Sequence, residues 1–325
     1  MGDDRYVSDE TVAMPIKLKF GRGQKIAGYV AFSVFAFVFC FWLSFPYDAV
    51  RQRIVSDASA QGIRVQMGWI GPGFLGVSAS NVRISKKIED SDANPPAAFL
   101  IKSVAIRPSF FPPGVAFGGS AMGGNISGRM GGFSGTSIRL DFNGLNTSDP
   151  NFKEVTGVDA SGKISGHLSL DMPMSTIPGP SKSKEADLSQ ANGALSLKLD
   201  RVVVNGGTIT VPVMGQPMPV ALEKLSIGDL EARVKFEKGQ GRIEKFQGKG
   251  DDLELLASGT IKLARQVDYA ESNIDVKLKV EPDAQKRLGA MAMGLTFLPA
   301  DKENPEFRTA KITGFLARPN FSPGR

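Results

Sequence analysis

Beyond its first fifty residues this chain repeatedly alternates apolar and polar side chains with period two, which restricts those stretches to β-strands that bury one face and wet the other. Ile138, Leu140 and Phe142 alternate with Arg139 and Asp141, and Leu168, Leu170 and Met172 alternate with His167, Ser169 and Asp171. Leu195, Leu197 and Leu199 oppose Ser196, Lys198 and Asp200, while Leu230, Ala232, Val234 and Phe236 oppose Glu231, Arg233, Lys235 and Glu237. The cleanest run sets Ile274, Val276, Leu278 and Val280 against Asp275, Lys277, Lys279 and Glu281. Asn205-Gly206-Gly207, Gly239-Gln240-Gly241 and the segment from Gly248 to Asp252 punctuate these runs and predict hairpin or meander turns. The fold class is therefore mostly β, an antiparallel sheet that is twisted or curved.

Ahead of the strands lies a different signal. Ile26 to Phe45 is an uncharged, mostly apolar run of 20 residues, which as a helix reaches roughly 30 Å, the thickness of bilayer hydrocarbon. Lys17, Lys19, Arg22 and Lys25 precede it with no acid among them, whereas Asp48 and Asp57 offset Arg51 and Arg53 beyond it. The positive-inside rule then predicts a cytoplasmic tail at 1–25, a transmembrane signal anchor at 26–45 and a periplasmic β-rich domain at 46–325 of a double-membrane bacterium. A cleaved signal peptide is the competing reading. The run is longer than a usual h-region and ends in Trp42, Leu43 and Phe45 rather than a small-residue cleavage site, which favours the uncleaved anchor.

Helix is otherwise sparse. Tyr47, Val50, Ile54 and Ala58 recur at helical spacing within 47–60, and a second short helix is expected from Asp283 to Gly294, carrying Leu288, Met291 and Leu295 toward the sheet. Both can lie on lipid headgroups or cap an end of the β layer. Lys86 to Pro96 and the Pro/Ser/Lys-rich 177–190 read as loops, the latter a soft boundary within one sheet or between two β subdomains. The glycine-rich stretch Gly114 to Gly135 has no G-K-[ST] ending, no G-x-G-x-x-G and no βαβ setting, so it predicts tight turns between close-packed short strands rather than a phosphate loop.

Little in the chain carries chemistry. The single histidine, His167, falls on the polar face of a strand, and the single cysteine, Cys40, falls inside the apolar run, so neither a His-based triad nor a multi-His or cysteine metal site is expected. Asp251 with Asp252 and Asp90 with Asp92 sit in turn-like segments that suit solvated acids. The Asn-x-Ser/Thr triplets at Asn125, Asn146 and Asn320 matter only in a eukaryotic secretory pathway. Net charge is +6, but beyond Pro46 basic and acidic residues are nearly balanced and interleaved, without the basic stripe of a nucleic-acid binder. The expectation is a protein that is not an enzyme, with no catalytic, cofactor-binding or metal-ligating residue, no cofactor and no nucleic-acid partner.

The layout resembles a known family. Phe45-Pro46-Tyr47-Asp48 opening a helix, the strand-like Ile63-Arg64-Val65-Gln66-Met67, a Pro/Gly turn and then Val77 to Ile84 (VSASNVRI) resemble the start of the type II secretion system protein N family, GspN, in its longer AsmA-like form. Ile312 to Pro319 (ITGFLARP) is similar to the closing strand of GspN-like and AsmA-like chains. The resemblance implies a component fixed in the inner membrane that contacts other secretion-system proteins and supports export across the outer membrane. The AsmA-like kinship implies an alternative: a groove-forming sheet whose apolar face binds or transfers phospholipid.

Overall fold

The computed structural model describes residues 22–60, 62–73, 75–86, 98–176, 184–213, 216–288 and 298–324. Much of the expected 1–25 tail, Asp90, Asp92, Met291, Leu295 and most of the two expected loops lie outside them. The chain divides into two compact units, Met1–Pro46 and Tyr47–Arg325. The first contains helix α1 (Arg22–Ser44), on which Tyr29, Phe35 and Phe37 are among the exposed apolar side chains. Among the described residues no helix is long and apolar enough to cross a membrane.

In the second unit helix α2 (Tyr47–Ala60) has the bounds its periodicity predicts. Strands β1 (Ile63–Gln66), β2 (Trp69–Gly73), β3 (Gly76–Lys86), β4 (Ala98–Phe110), β5 (Pro113–Ala121), β6 (Gly124–Gly131) and β7 (Gly135–Asn146) follow. Helix α3 (Pro150–Thr156) leads into β8 (Val158–Thr176), β9 (Lys184–Ala186), β10 (Asn192–Val213) and β11 (Gln216–Leu222). Next come β12 (Leu225–Glu237), β13 (Gln240–Lys249), β14 (Leu253–Lys262) and β15 (Glu271–Val280), then helix α4 (Pro282–Leu288), β16 (Arg308–Phe315) and β17 (Arg318–Pro323). Asp149 caps α3 by accepting from the Asn151 N–H at 3.0 Å, and Gly157 ends it in the left-handed region.

One large open antiparallel sheet results. β1 and β2 both pair with β3, and from β3 to β8 each strand pairs with the next. β8 continues to β10 and β10 to β12, after which β12 to β17 pair in order. β9 pairs with the end of β8, and β11 with the far half of β10. The ladder therefore runs unbroken across 177–190. The registers carry the alternation coherently from strand to strand. Leu140, Leu168, Leu195, Val234 and Ile243 are successive cross-strand partners on one face, and Asp141, His167, Ser196, Arg233 and Lys245 form the neighbouring row on the other.

Glycines act within strands more than expected. Asn205-Gly206-Gly207 is not a turn: it lies inside β10, where the register slips between Val204 and Gly206, and Gly206 and Gly207 take φ of 152° and 148°. The strand needs a bulge there to leave β12 and pair with β11. Gly166 is the partner of Phe142, whose ring occupies the space a Cβ would take, an aromatic covering a cross-strand glycine. The glycine-rich 114–135 forms β5, β6 and the Met122-Gly123 turn between them, strands and a tight turn as its composition predicts. The turns at Lys238-Gly239 and at 250–252 also fall where expected.

Candidate functional site

The sheet has one apolar and one charged face, and burial is divided between them. On β12, Leu230, Ala232, Val234 and Phe236 are 6–7% exposed while Arg233, Lys235 and Glu237 point to water. Among the described residues the long strands all belong to one sheet, and the apolar side chains of this face are covered by one another and by local elements. β17 lies beside β10 although β12 to β16 intervene, and α3 touches β4 although β5 to β7 intervene. Among the described residues no large side chain is fully buried, unlike the interior of a closed globular domain.

Local elements cover parts of this face. Ile54 of α2 packs with Val65 and Ile70 on Met67, Ala79 and Val82 of the first strands, and Arg51 donates to the Met67 carbonyl. Ala284 and Leu288 of α4 pack on Val280 beside Leu225, Leu253 and Leu278. At the other end a single 3₁₀ turn, Leu188–Gln190, sets Leu188 against Leu170, Met172, Val234 and Phe236. Thus α2 and α4 cap sheet ends. Exposure on the apolar face is high on β4 to β6, where Ile106, Val115 and Met130 are 37%, 43% and 52% exposed.

The Leu188 closure hangs on Asp187, a buried carboxylate. It accepts from the Ser189 N–H and hydroxyl at 3.0 and 2.6 Å and from the Ser175 hydroxyl of β8 at 2.9 Å, and it faces Arg265 at 3.6 Å. The Ser189 hydroxyl bond, ahead of the other partners, holds its carboxyl below the usual aspartate range against the opposing effect of burial. Alternation could not single out Asp187, which lies in a loop and becomes buried only when β8, the 3₁₀ turn and the segment after β14 converge.

The charged face is laced with ion pairs. Lys245 and Glu231 pair at 2.5 Å, Lys277 and Asp301 at 2.9 Å, and Lys279 and Glu306 at 2.8 Å. His167 Nδ1 lies 2.6 Å from Asp141 Oδ1, both side chains about half exposed. Ser196 is the register partner of His167 on its other side, but no hydrogen bond joins their side chains, and the row lies open on the sheet surface. A Ser-His-Asp relay needs that bond and a donor pair for an oxyanion. Asp252, one of the paired acids, accepts from the Ser226 N–H at 2.8 Å and from Arg287, tying α4 to the sheet. Asp251 is exposed beside it. Cys40 is exposed on α1, and among the described residues no three His, Cys, Asp or Glu side chains gather as metal ligands.

A shallow cavity of about 940 Å³ lies on the charged face between Asn192, Lys235, Glu237, Arg242, Glu244 and Thr260. Lys235 and Glu237 pair there at 2.8 Å. The lining mixes basic, acidic and neutral polar side chains. Compared with models of known protein families, with curated proteins and with solved structures, the chain matches none.

Proposed function

We propose that this protein is a non-enzymatic lipid-handling component of a bacterial envelope, tethered to the inner membrane by the apolar run 26–45, with the β unit in the periplasm and acyl chains held in a trough formed by the apolar face of the sheet. The observation that carries the reading is the apolar face on which Leu140, Leu168, Leu195, Val234 and Ile243 are successive cross-strand partners, with no fully buried large side chain among the described residues. An acyl chain supplies the apolar contacts such a lining otherwise lacks, at about 0.8 kcal/mol per buried CH₂. A GspN-like secretion accessory is the second reading. It is favoured by the ion-paired outer face, whose order suits protein contacts, and by the resemblance at both ends of the chain.

Native mass spectrometry and lipid extraction on the full chain, purified in a detergent that does not displace bound phospholipid, test this reading. Stoichiometric phospholipid that is lost when Leu140 and Leu195 are replaced by Asp, with the β-rich circular dichroism retained, is the expected result. A folded chain free of lipid overturns the carrier, and crosslinking to secretion components then becomes the decisive measurement.

A further inference from the structure

The antiparallel registers sort the turns into two rims, and among the described residues most of the exposed large apolar turn side chains lie on one of them. Leu75 lies in the β2–β3 turn and is 63% exposed; Phe111 in the β4–β5 turn is 83% exposed. Phe133 between β6 and β7 is 76% exposed, with its ring 6.3 Å from that of Phe111. Tyr269 between β14 and β15 and Leu316 between β16 and β17 are 59% and 41% exposed. The pairings Gly73↔Gly76, Phe110↔Pro113, Gly131↔Ser137, Lys262↔Glu271 and Phe315↔Arg318 put all five at the same end of the ladder. The β12–β13 turn at this end carries Lys238 instead. At the opposite end the connections carry Ser148, Asp149, Asp251 and Asp252.

Charge adds a direction. Arg107, Arg129 and Arg139 occupy one cross-strand row, with Ala116 between the first two, and all three are exposed. None has an ion-pair partner among the described residues. The row lies three to four residues from Phe110 and Phe133, roughly 10–13 Å along a strand. An apolar edge sunk about 5–10 Å into the headgroup and acyl boundary brings those guanidinium groups to the phosphates. Helix α2 has a consistent direction. Ala60 precedes β1 at the far end while Arg51 reaches the Met67 carbonyl midway along, so α2 starts on the side of the apolar rim.

We infer that this rim seats on the surface of an anionic phospholipid bilayer, with the aromatic and aliphatic turn residues in the interface and the Arg107–Arg129–Arg139 row on the headgroups. The contact does not depend on what the apolar face carries. Turn residues spread along one rim suit a broad planar surface, and Phe and Tyr suit the membrane interface.

The test uses the full chain with Cys40→Ala and single cysteines introduced as Phe111→Cys, Phe133→Cys or Leu316→Cys, with Ser148→Cys and Asp251→Cys as controls. Each is labelled with bimane and placed with vesicles of phosphatidylethanolamine and phosphatidylglycerol. The expected result is at least about twofold stronger quenching of the rim labels by doxyl-lipid than by aqueous iodide, as interfacial insertion requires, with the reverse at the controls. That preference should weaken in phosphatidylcholine vesicles and in the Arg107→Gln, Arg129→Gln double variant. Rim labels quenched by iodide as readily as the controls overturn the inference. So do rim labels shielded from both quenchers, the pattern of a rim covered by protein. Equal insertion into both lipid compositions overturns the role given to the arginines.

Discussion

A pair of truncations separates a lipid trough from an ordinary core. Leu170 is 8% exposed and packed among Met172, Ala191, Val234 and Phe236, where Leu188 closes the sheet. Leu197 lies on the same face between its partners Gly166 and Ala232, outside that closed cluster. Leu→Ala removes three carbons, about 2.4 kcal/mol of transfer free energy when burial is complete. At Leu170 the cavity left behind raises the cost to about 3–4 kcal/mol. At Leu197, which is mostly but not fully buried, most of the transfer term is lost but no sealed cavity forms, which leaves about 2 kcal/mol. For a domain of this size those costs lower the thermal midpoint by about 10 °C and about 6 °C respectively. Thermal unfolding of the full chain followed by far-ultraviolet circular dichroism reads both. Equal losses of about 3 kcal/mol or more at the two positions would refute the trough, because only a sealed interior penalises both alike.

Two further outcomes probe how the sheet is held. Asp187→Ala strands the Ser189 N–H and frees Arg265, and is expected to cost about 2–3 kcal/mol. Because the folded Asp187 carboxyl titrates below its ordinary value, its contribution is present above about pH 3.9 and lost as pH falls through the lowered value. A thermal midpoint that declines less in acid for Asp187→Asn than for the wild type is the expected profile. Gly166→Val drives a side chain into the Phe142 ring and the Ser196 carbonyl and should cost at least about 2 kcal/mol. Gly118→Ala, whose Cβ meets nothing within 4 Å, serves as its control and should change stability by less than about 1 kcal/mol.

What the sequence by itself determined is what depends on neighbours along the chain. Period-two alternation identified strands and the face each residue takes, because successive side chains of an extended backbone point to opposite sides whatever lies alongside. The helical spacing of Tyr47, Val50, Ile54 and Ala58 marked α2 for the same reason, and α2 occupies Tyr47–Ala60. What only the tertiary structure decided depends on which strand lies beside which. Gly206-Gly207 reads locally as a turn and becomes a bulge because β10 runs on to pair with β11. The Asp141–His167 contact, the burial of Asp187 and the gathering of Leu75, Phe111, Phe133, Tyr269 and Leu316 on one rim each join segments far apart in sequence. Register and curvature make those meetings, and both are set by pairings between distant strands, which local periodicity does not encode.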